Sequence, residues 1–245
     1  MIENKAAIVL FSGGMDSSVC LAWAMKRFSK VYALNIHYGQ RHSIELHVAK
    51  LLMEYVPDVF YVLQNLSISL PLTSSLSDKN LDIKENGGYK DDKVEGGLPN
   101  TYVPGRNLAF LTQAFFTALF SGIFDIVTGV CQTDYSGYPD CREEFIKSLE
   151  ESFNKAMPTE LAKFKIHTPL MHINKSETLK MALEFGCLEM VKSSWSCYNP
   201  KHVGDSMYVQ CEECPSCKLR SKAFLEVGLK DGDEAVYVPS NARIS

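Results

Sequence analysis

Apolar and polar residues fall into blocks along this chain, and the blocks recur in a fixed order. The unbroken apolar run Ala6-Ala7-Ile8-Val9-Leu10-Phe11 has the length and character of a buried parallel strand. A polar, glycine-bearing stretch follows. Next comes Val19-Cys20-Leu21-Ala22-Trp23-Ala24-Met25, free of Gly and Pro, which reads as a buried helix. Residues 31–36 predict a second strand, and a helix over about 43–55 keeps Ile44, Val48, Leu51 and Leu52 at helical spacing. A third strand is predicted at 60–63. Further along come a helix at 108–120, a strand at 125–130, a helix at 143–156 and a strand at 165–170. Asn174-Lys175-Ser176-Glu177 has the spacing of a capping box and opens a helix that ends near Gly186. Strands alternating with helices at this spacing predict an α/β fold, a parallel five-stranded sheet with helices on both faces. The expected division is a main domain over 1–190, a small C-terminal segment over 191–230 and a tail over 231–245.

The alternation lapses between residues 70 and 100, where Ser, Asp, Lys, Asn and Gly dominate without an apolar period. An irregular insertion of this length is either a functional lid or a disordered excursion. Because Tyr102-Val103-Pro104-Gly105-Arg106-Asn107 follows directly, 74–97 is read as a mobile lid that orders over a ligand.

The break after the first strand carries the most chemistry. Phe11-Ser12-Gly13-Gly14-Met15-Asp16-Ser17-Ser18 sits where a strand hands over to a helix. There the first helical turn leaves backbone N–H groups unpaired and the macrodipole is positive. Two glycines allow close backbone approach and three serines offer hydroxyls, so the loop suits a phosphate. It lacks the Lys-Ser or Lys-Thr of a Walker A loop and the three spaced glycines of a dinucleotide fingerprint. Asp16 beside a phosphate calls for a cation between them, which suggests Mg2+. The competing reading is a serine-capped helix start with a Gly-Gly turn.

Other candidates lie where strands end, the usual place for ligands in open α/β sheets. His37 and Tyr38 leave the second strand, with a ligand role and a simple capping role equally open. Arg106 at a helix start is badly placed for the dipole, so an anion is expected beside it, and Lys175 raises the same expectation. Cys131-Gln132-Thr133-Asp134-Tyr135-Ser136-Gly137-Tyr138-Pro139-Asp140-Cys141-Arg142 is the densest polar cluster. Its carboxylates can accept from amidine-like N–H edges and its tyrosines can stack on planar rings. Asp134, Tyr135, Ser136, Asp140 and Arg142 are the candidate substrate contacts.

Charge and cysteine content narrow the choice of partner. Of the 245 residues, 25 are Lys or Arg and 29 are Asp or Glu, so 25 − 29 = −4, and no basic run marks a nucleic-acid face. No apolar run is long enough to cross a membrane and no leader precedes the first strand, so a cytoplasmic protein is expected. Cys197 is followed by Cys211-Glu212-Glu213-Cys214-Pro215-Ser216-Cys217, a set that can close a tetrahedral shell around structural Zn2+. An iron–sulfur cluster uses similar gaps and is the rival. Cys20 and Cys187 sit among apolar residues and read as core, while Cys131 and Cys141 lie by the expected pocket and stay open.

The SGGMDS loop resembles the pyrophosphate loop of the N-type ATP pyrophosphatases (the PP-loop superfamily). Together with VPGRN, DYSGYPDCR and the four cysteines, in this order from about residue 6 to 228, it resembles the 7-cyano-7-deazaguanine synthase family, the nitrile-forming ligases of the queuosine pathway. That resemblance implies an adenine nucleotide α-hydrolase-like fold and an ATP-dependent conversion of 7-carboxy-7-deazaguanine and ammonia to the 7-cyano compound. It implies ATP bound by the segment from Phe11 through Val19, Cys20 and Leu21, with Mg2+ near Asp16. Arg106 and Lys175 would then serve as further catalytic contacts. It also implies a structural Zn2+ on Cys197, Cys211, Cys214 and Cys217, a homodimer, and no direct nucleic-acid partner. Two rivals remain: a tRNA-modifying relative that adenylates a base and inserts sulfur through a cysteine, and a nucleotide-binding module without catalysis.

Overall fold

The computed structural model describes residues 3–39, 44–66, 74–76, 81–83, 97–133, 137–203, 207–232 and 236–237. Its main sheet has five parallel strands: β1 (Glu3–Leu10), β2 (Phe28–His37), β3 (Phe60–Asn65), β4 (Asp125–Val127) and β5 (Lys165–His167). Their order is β3-β2-β1-β4-β5. The chain therefore builds outward from β1 in one direction and then restarts on its other side. That reversal leaves a crevice beyond the carboxyl ends of β1 and β4, where open α/β sheets take ligands.

Side-chain alternation along the strands sends successive residues to opposite faces and creates two apolar layers. Ala7, Val9, Val31 and Ala33 face α1 (Met15–Met25), α2 (Ile44–Leu52), α5 (Lys175–Glu184) and α6 (Leu188–Lys192). Ile8, Leu34 and Ile36 face α3 (Arg106–Ser121) and α4 (Glu143–Lys155), which contribute Leu111, Phe115, Ile146 and Phe153. Cys20 and Cys187 are both buried in the first layer, as expected of core thiols. Among the described residues no helix is long and apolar enough to cross a membrane.

Several boundaries differ from expectation. The strands at 125 and 165 stop after three residues, at Val127 and His167, although the Thr128 N–H still donates to the His167 carbonyl at 3.0 Å. The second strand starts earlier, at Phe28, where it pairs with Glu3 of β1. The helix expected at 108 begins at Arg106, so Arg106 and Asn107 form its first turn. Not foreseen were α7 (Pro215–Val227) and a three-stranded antiparallel sheet of β6 (Lys201–Val203), β7 (Met207–Val209) and β8 (Val236–Tyr237). α7 packs on α5, and β8 places two residues of the expected tail in that small sheet.

Most of the expected lid at 74–97 lies outside the described residues. Of its described part, Ser74 and Ser75 are buried and both donate to the Asn100 carbonyl.

Candidate active site

The loop after β1 is shaped mainly by backbone constraints. Gly13 has φ +81, and a Cβ there would stand 2.8 Å from the backbone nitrogen of Ala49 in α2. Both the left-handed conformation and the close approach demand glycine. Gly14 caps α1 without a side-chain cap bond. Its carbonyl accepts from the hydroxyls of Ser17 and Ser18, each at 3.0 Å. The exposed Ser12 hydroxyl accepts from the Gly14 N–H at 3.3 Å and lies 3.2 Å from Ser17 Oγ. Bonds of that length are weak and readily exchanged for phosphate oxygens. Phe11, Met15, Val19, Cys20 and Leu21 are buried in the core, so only their backbones can reach a ligand.

Asp16 and Lys175 meet at this loop from opposite ends of the sequence. Lys175 Nζ donates to Asp16 Oδ2 at 2.5 Å. Lys175 is the first residue of α5, and that helix start is held by the expected capping box, with the Asn174 side chain accepting from Glu177 N–H and the Glu177 carboxylate accepting from Asn174 N–H. Lys175 thus places a positive charge directly beside Asp16. Gly129, beyond β4, closes the floor, since a Cβ there would lie 3.2 Å from Asp16.

A second cluster forms around Arg106. Its guanidinium donates to the Tyr38 phenol and lies within electrostatic reach of Tyr138, Tyr198 and Glu45. Burial raises the phenols of Tyr38, Tyr138 and Tyr198, which keeps them neutral. Burial also raises Glu45 to about 7, with Arg106 pulling the other way. Asp140 is likewise raised by burial. Among the described residues the cation therefore faces two carboxyl groups that are reluctant to ionise, an arrangement that favours an anionic ligand.

Asp140 joins two of the sequence motifs. Its Oδ2 accepts from the Asn107 N–H at 3.1 Å, capping α3, while the Asn107 amide donates to the Asp140 carbonyl and Cys141 Sγ. Asp140 Oδ1 is buried without a partner among the described residues. Arg142 precedes α4 and donates to the Gly137 carbonyl at 3.2 Å. Asp134, Tyr135 and Ser136 lie outside the described residues. Glu45, Tyr138 and Tyr198, which belong to the Arg106 cluster, were not among the candidate contacts: Glu45 and Tyr198 stand alone in sequence, and only Tyr138 lay inside a conspicuous motif.

The two clusters are neighbours. On α2, Ala49 abuts Gly13 while Glu45, one helical turn earlier, faces Arg106. The Trp195 backbone N–H donates to the Gly13 carbonyl at 3.0 Å, and Tyr198, three residues on, lies within electrostatic reach of Arg106. Three residues of chain span at most about 10 Å. A phosphate on the loop and an acid at Arg106 would therefore sit side by side.

Cys197, Cys211, Cys214 and Cys217 are all buried, with their sulfurs within 4.8 Å of one another. A Zn–S bond of about 2.3 Å in a tetrahedron separates sulfurs by about 3.8 Å. Cys211 and Cys217 stand 4.0 Å apart, which fits that spacing and is far too long for a disulfide. Backbone N–H groups of Cys211 and Asn199 donate to Cys197 Sγ, and that of Cys214 to Cys211 Sγ, as suits thiolates. Hydrogen bonds from Cys197 and Cys217 pull Cys214 well below the ordinary thiol range. The set fits a structural metal.

The family model described as "Queuosine biosynthesis protein QueC" matches residues 6–228. A Bacteroides fragilis protein named 7-cyano-7-deazaguanine synthase is 45% identical over 226 residues, covering 92% of this chain and 97% of that protein. One of the same name from Bacillus subtilis is 43% identical over 235 residues, covering 96% and 100%. Among solved structures, a predicted subunit of tRNA methyltransferase from Methanocaldococcus jannaschii superposes with a TM-score of 0.46 at 16% identity, covering 96% of this chain and 92% of that one.

Proposed function

The chain belongs to the queuosine biosynthesis protein QueC family, and on that footing we propose how its residues divide the work of ligation. The activity is that of a 7-cyano-7-deazaguanine synthase, an ATP-dependent ligase. The carboxylate oxygen of 7-carboxy-7-deazaguanine attacks the α-phosphorus of ATP and expels pyrophosphate. Ammonia displaces AMP from the acyl adenylate to give the amide. A second adenylation, on the amide oxygen, is followed by loss of AMP and a proton, which leaves the nitrile.

Convergence of Lys175 and Asp16 on the glycine loop carries the assignment of roles. Backbone N–H groups at Ser12–Ser18 hold the departing pyrophosphate, whose charge grows in the transition state. Lys175 turns from Asp16 towards those phosphates. Asp16 and the loop hydroxyls suit a magnesium ion arriving with ATP, which would neutralise phosphate charge. Arg106 grips the acid group, the neutral tyrosines wrap the deazapurine ring, and Asp140 Oδ1 accepts from its N–H edge. No side chain acts as a covalent nucleophile, so rate comes from positioning and electrostatics.

Zinc on the four cysteines is structural and ties residues 191–230 onto the main domain. Phe116 and Phe120 on α3 and Phe60 on the edge strand β3 form an exposed apolar strip beside a cavity of about 360 Å³. That strip suits a homodimer contact, and the enzyme works in the cytoplasm without nucleic acid.

Sulfur insertion into tRNA is the weaker reading. Cys141 is pushed up to about 12, first by burial and then by Asp140, and so stays a thiol. AMP release with 7-carboxy-7-deazaguanine plus ammonium, but not with bulk tRNA, is the expected result. Turnover only with tRNA would exclude this reading. Asp16→Ala should abolish AMP formation in a protein that still folds, and near-normal turnover would remove the phosphate-site assignment. Metal analysis should give one zinc per chain, whereas visible absorption would indicate an iron–sulfur cluster.

A further inference from the structure

The most heavily bonded side chain in the described structure, Arg220 of α7, touches none of the residues assigned to chemistry. It is 2% exposed. Nε and Nη2 donate to the two oxygens of Asp231, each at 2.7 Å. Nη1 donates to Ser194 Oγ at 2.9 Å and to the Ser194 carbonyl at 3.0 Å. Nη2 also donates to the carbonyls of Val191 and Lys192, at 3.0 and 2.9 Å. Those two carbonyls close the last turn of α6, where the negative dipole end favours a cation, and the Val191 carbonyl also accepts from the Ser194 hydroxyl at 2.6 Å. Charge and donors are thus fully matched, and the segment leaving α6 has little freedom.

The course of that segment ties Arg220 to the ATP loop. Trp195, directly after Ser194, donates its backbone N–H to the Gly13 carbonyl at 3.0 Å. The Gly13 carbonyl and the Gly14 N–H belong to one planar peptide unit and point in opposite directions. Fixing the carbonyl therefore aims the N–H. Within the loop the Gly14 N–H has the long, weak bond to Ser12 Oγ at 3.3 Å, so the firmer hold on this peptide is the one at Trp195, outside the loop. We infer that Arg220 is a positioning residue for ATP: through Ser194 and Trp195 it holds the 13–14 peptide plane so that the Gly14 N–H faces the phosphates. The inference rests on the reading of Ser12–Ser18 as the pyrophosphate site.

Arg220→Lys keeps the charge but loses the fork. Binding of the non-hydrolysable α,β-methylene analogue of ATP should weaken about tenfold, with KM for ATP rising in step. KM for 7-carboxy-7-deazaguanine, kcat at saturating ATP and metal content should each stay within about twofold. Asp231→Asn, a milder loosening remote from the loop, should shift ATP affinity in the same direction by about threefold, and it answers the case in which Arg220→Lys fails to fold. A purely structural arginine would lower thermal stability or the active fraction and leave both ATP constants unchanged, which would overturn the inference. Glycine-selective amide spectra of the wild type separate the two readings. If the Gly13 and Gly14 amides ignore the analogue, the loop assignment itself fails. If they shift while both variants bind normally, only the role of Arg220 fails.

Discussion

The glycine loop and the pocket around Arg106 sit side by side at the same end of the sheet, yet they are built in opposite ways. The loop is one contiguous stretch whose work falls to backbone N–H groups and whose shape depends on Gly13 and Gly14. The pocket draws single side chains from the end of β2, from α2, from the start of α3, from the stretch before α4 and from the segment after Cys197. A backbone site is sensitive to changes in conformation and tolerant of lost hydroxyls. A side-chain site is the reverse.

Gly13→Ala should have the largest effect. The added methyl meets the Ala49 backbone and the conformation itself disfavours a side chain. We expect AMP release to fall by about 100-fold or more and stability by about 1–3 kcal/mol, read from initial rates and from the melting temperature. A loss of less than about threefold would mean the loop does not owe its shape to the backbone.

Arg106→Lys should come next, with kcat/KM for the acid falling by about 10- to 100-fold and KM for ATP hardly moving. A rise confined to KM for ATP would place Arg106 in the phosphate site instead and erase the distinction between the two regions.

The smallest effect concerns Glu45. Its folded pKa of about 7 lies above the usual glutamate value, so the folded state binds the extra proton. Its contribution is present at acid pH and is lost as pH rises towards 7. Glu45→Gln should flatten that part of the stability–pH curve, leaving the variant the more stable protein at pH 8 by on the order of 1–2 kcal/mol after allowance for partial exposure. Parallel curves for both proteins would show that Glu45 is not held protonated by the pocket.

Much of this was legible in one dimension. The parallel sheet followed from apolar runs alternating with amphipathic ones, and its helix-covered faces followed from the same pattern. The capping box at Asn174 and Glu177 formed as its spacing predicted. The four cysteines converged as their gaps implied. Less visible was anything that depends on where a loop turns. Strands expected to run six residues stopped after three, at Val127 and His167, because apolar composition alone cannot distinguish the end of a strand from the loop that continues it. Asp140 looked like a substrate contact, and it also caps the helix of Arg106 from 33 residues away.

The sequence alone determined those features that are local or periodic: the strand–helix alternation, the glycine turn with its serines, the cysteine spacing and the helix cap. Each is set by the steric and hydrogen-bonding preferences of residues a few positions apart. Only the tertiary structure decided that Lys175 meets Asp16, that Glu45 and Tyr198 surround Arg106, and that Arg220 reaches the loop through Trp195. Those pairings depend on sheet order and on helices packing across it, and the residues concerned carry no spacing by which one could announce the other.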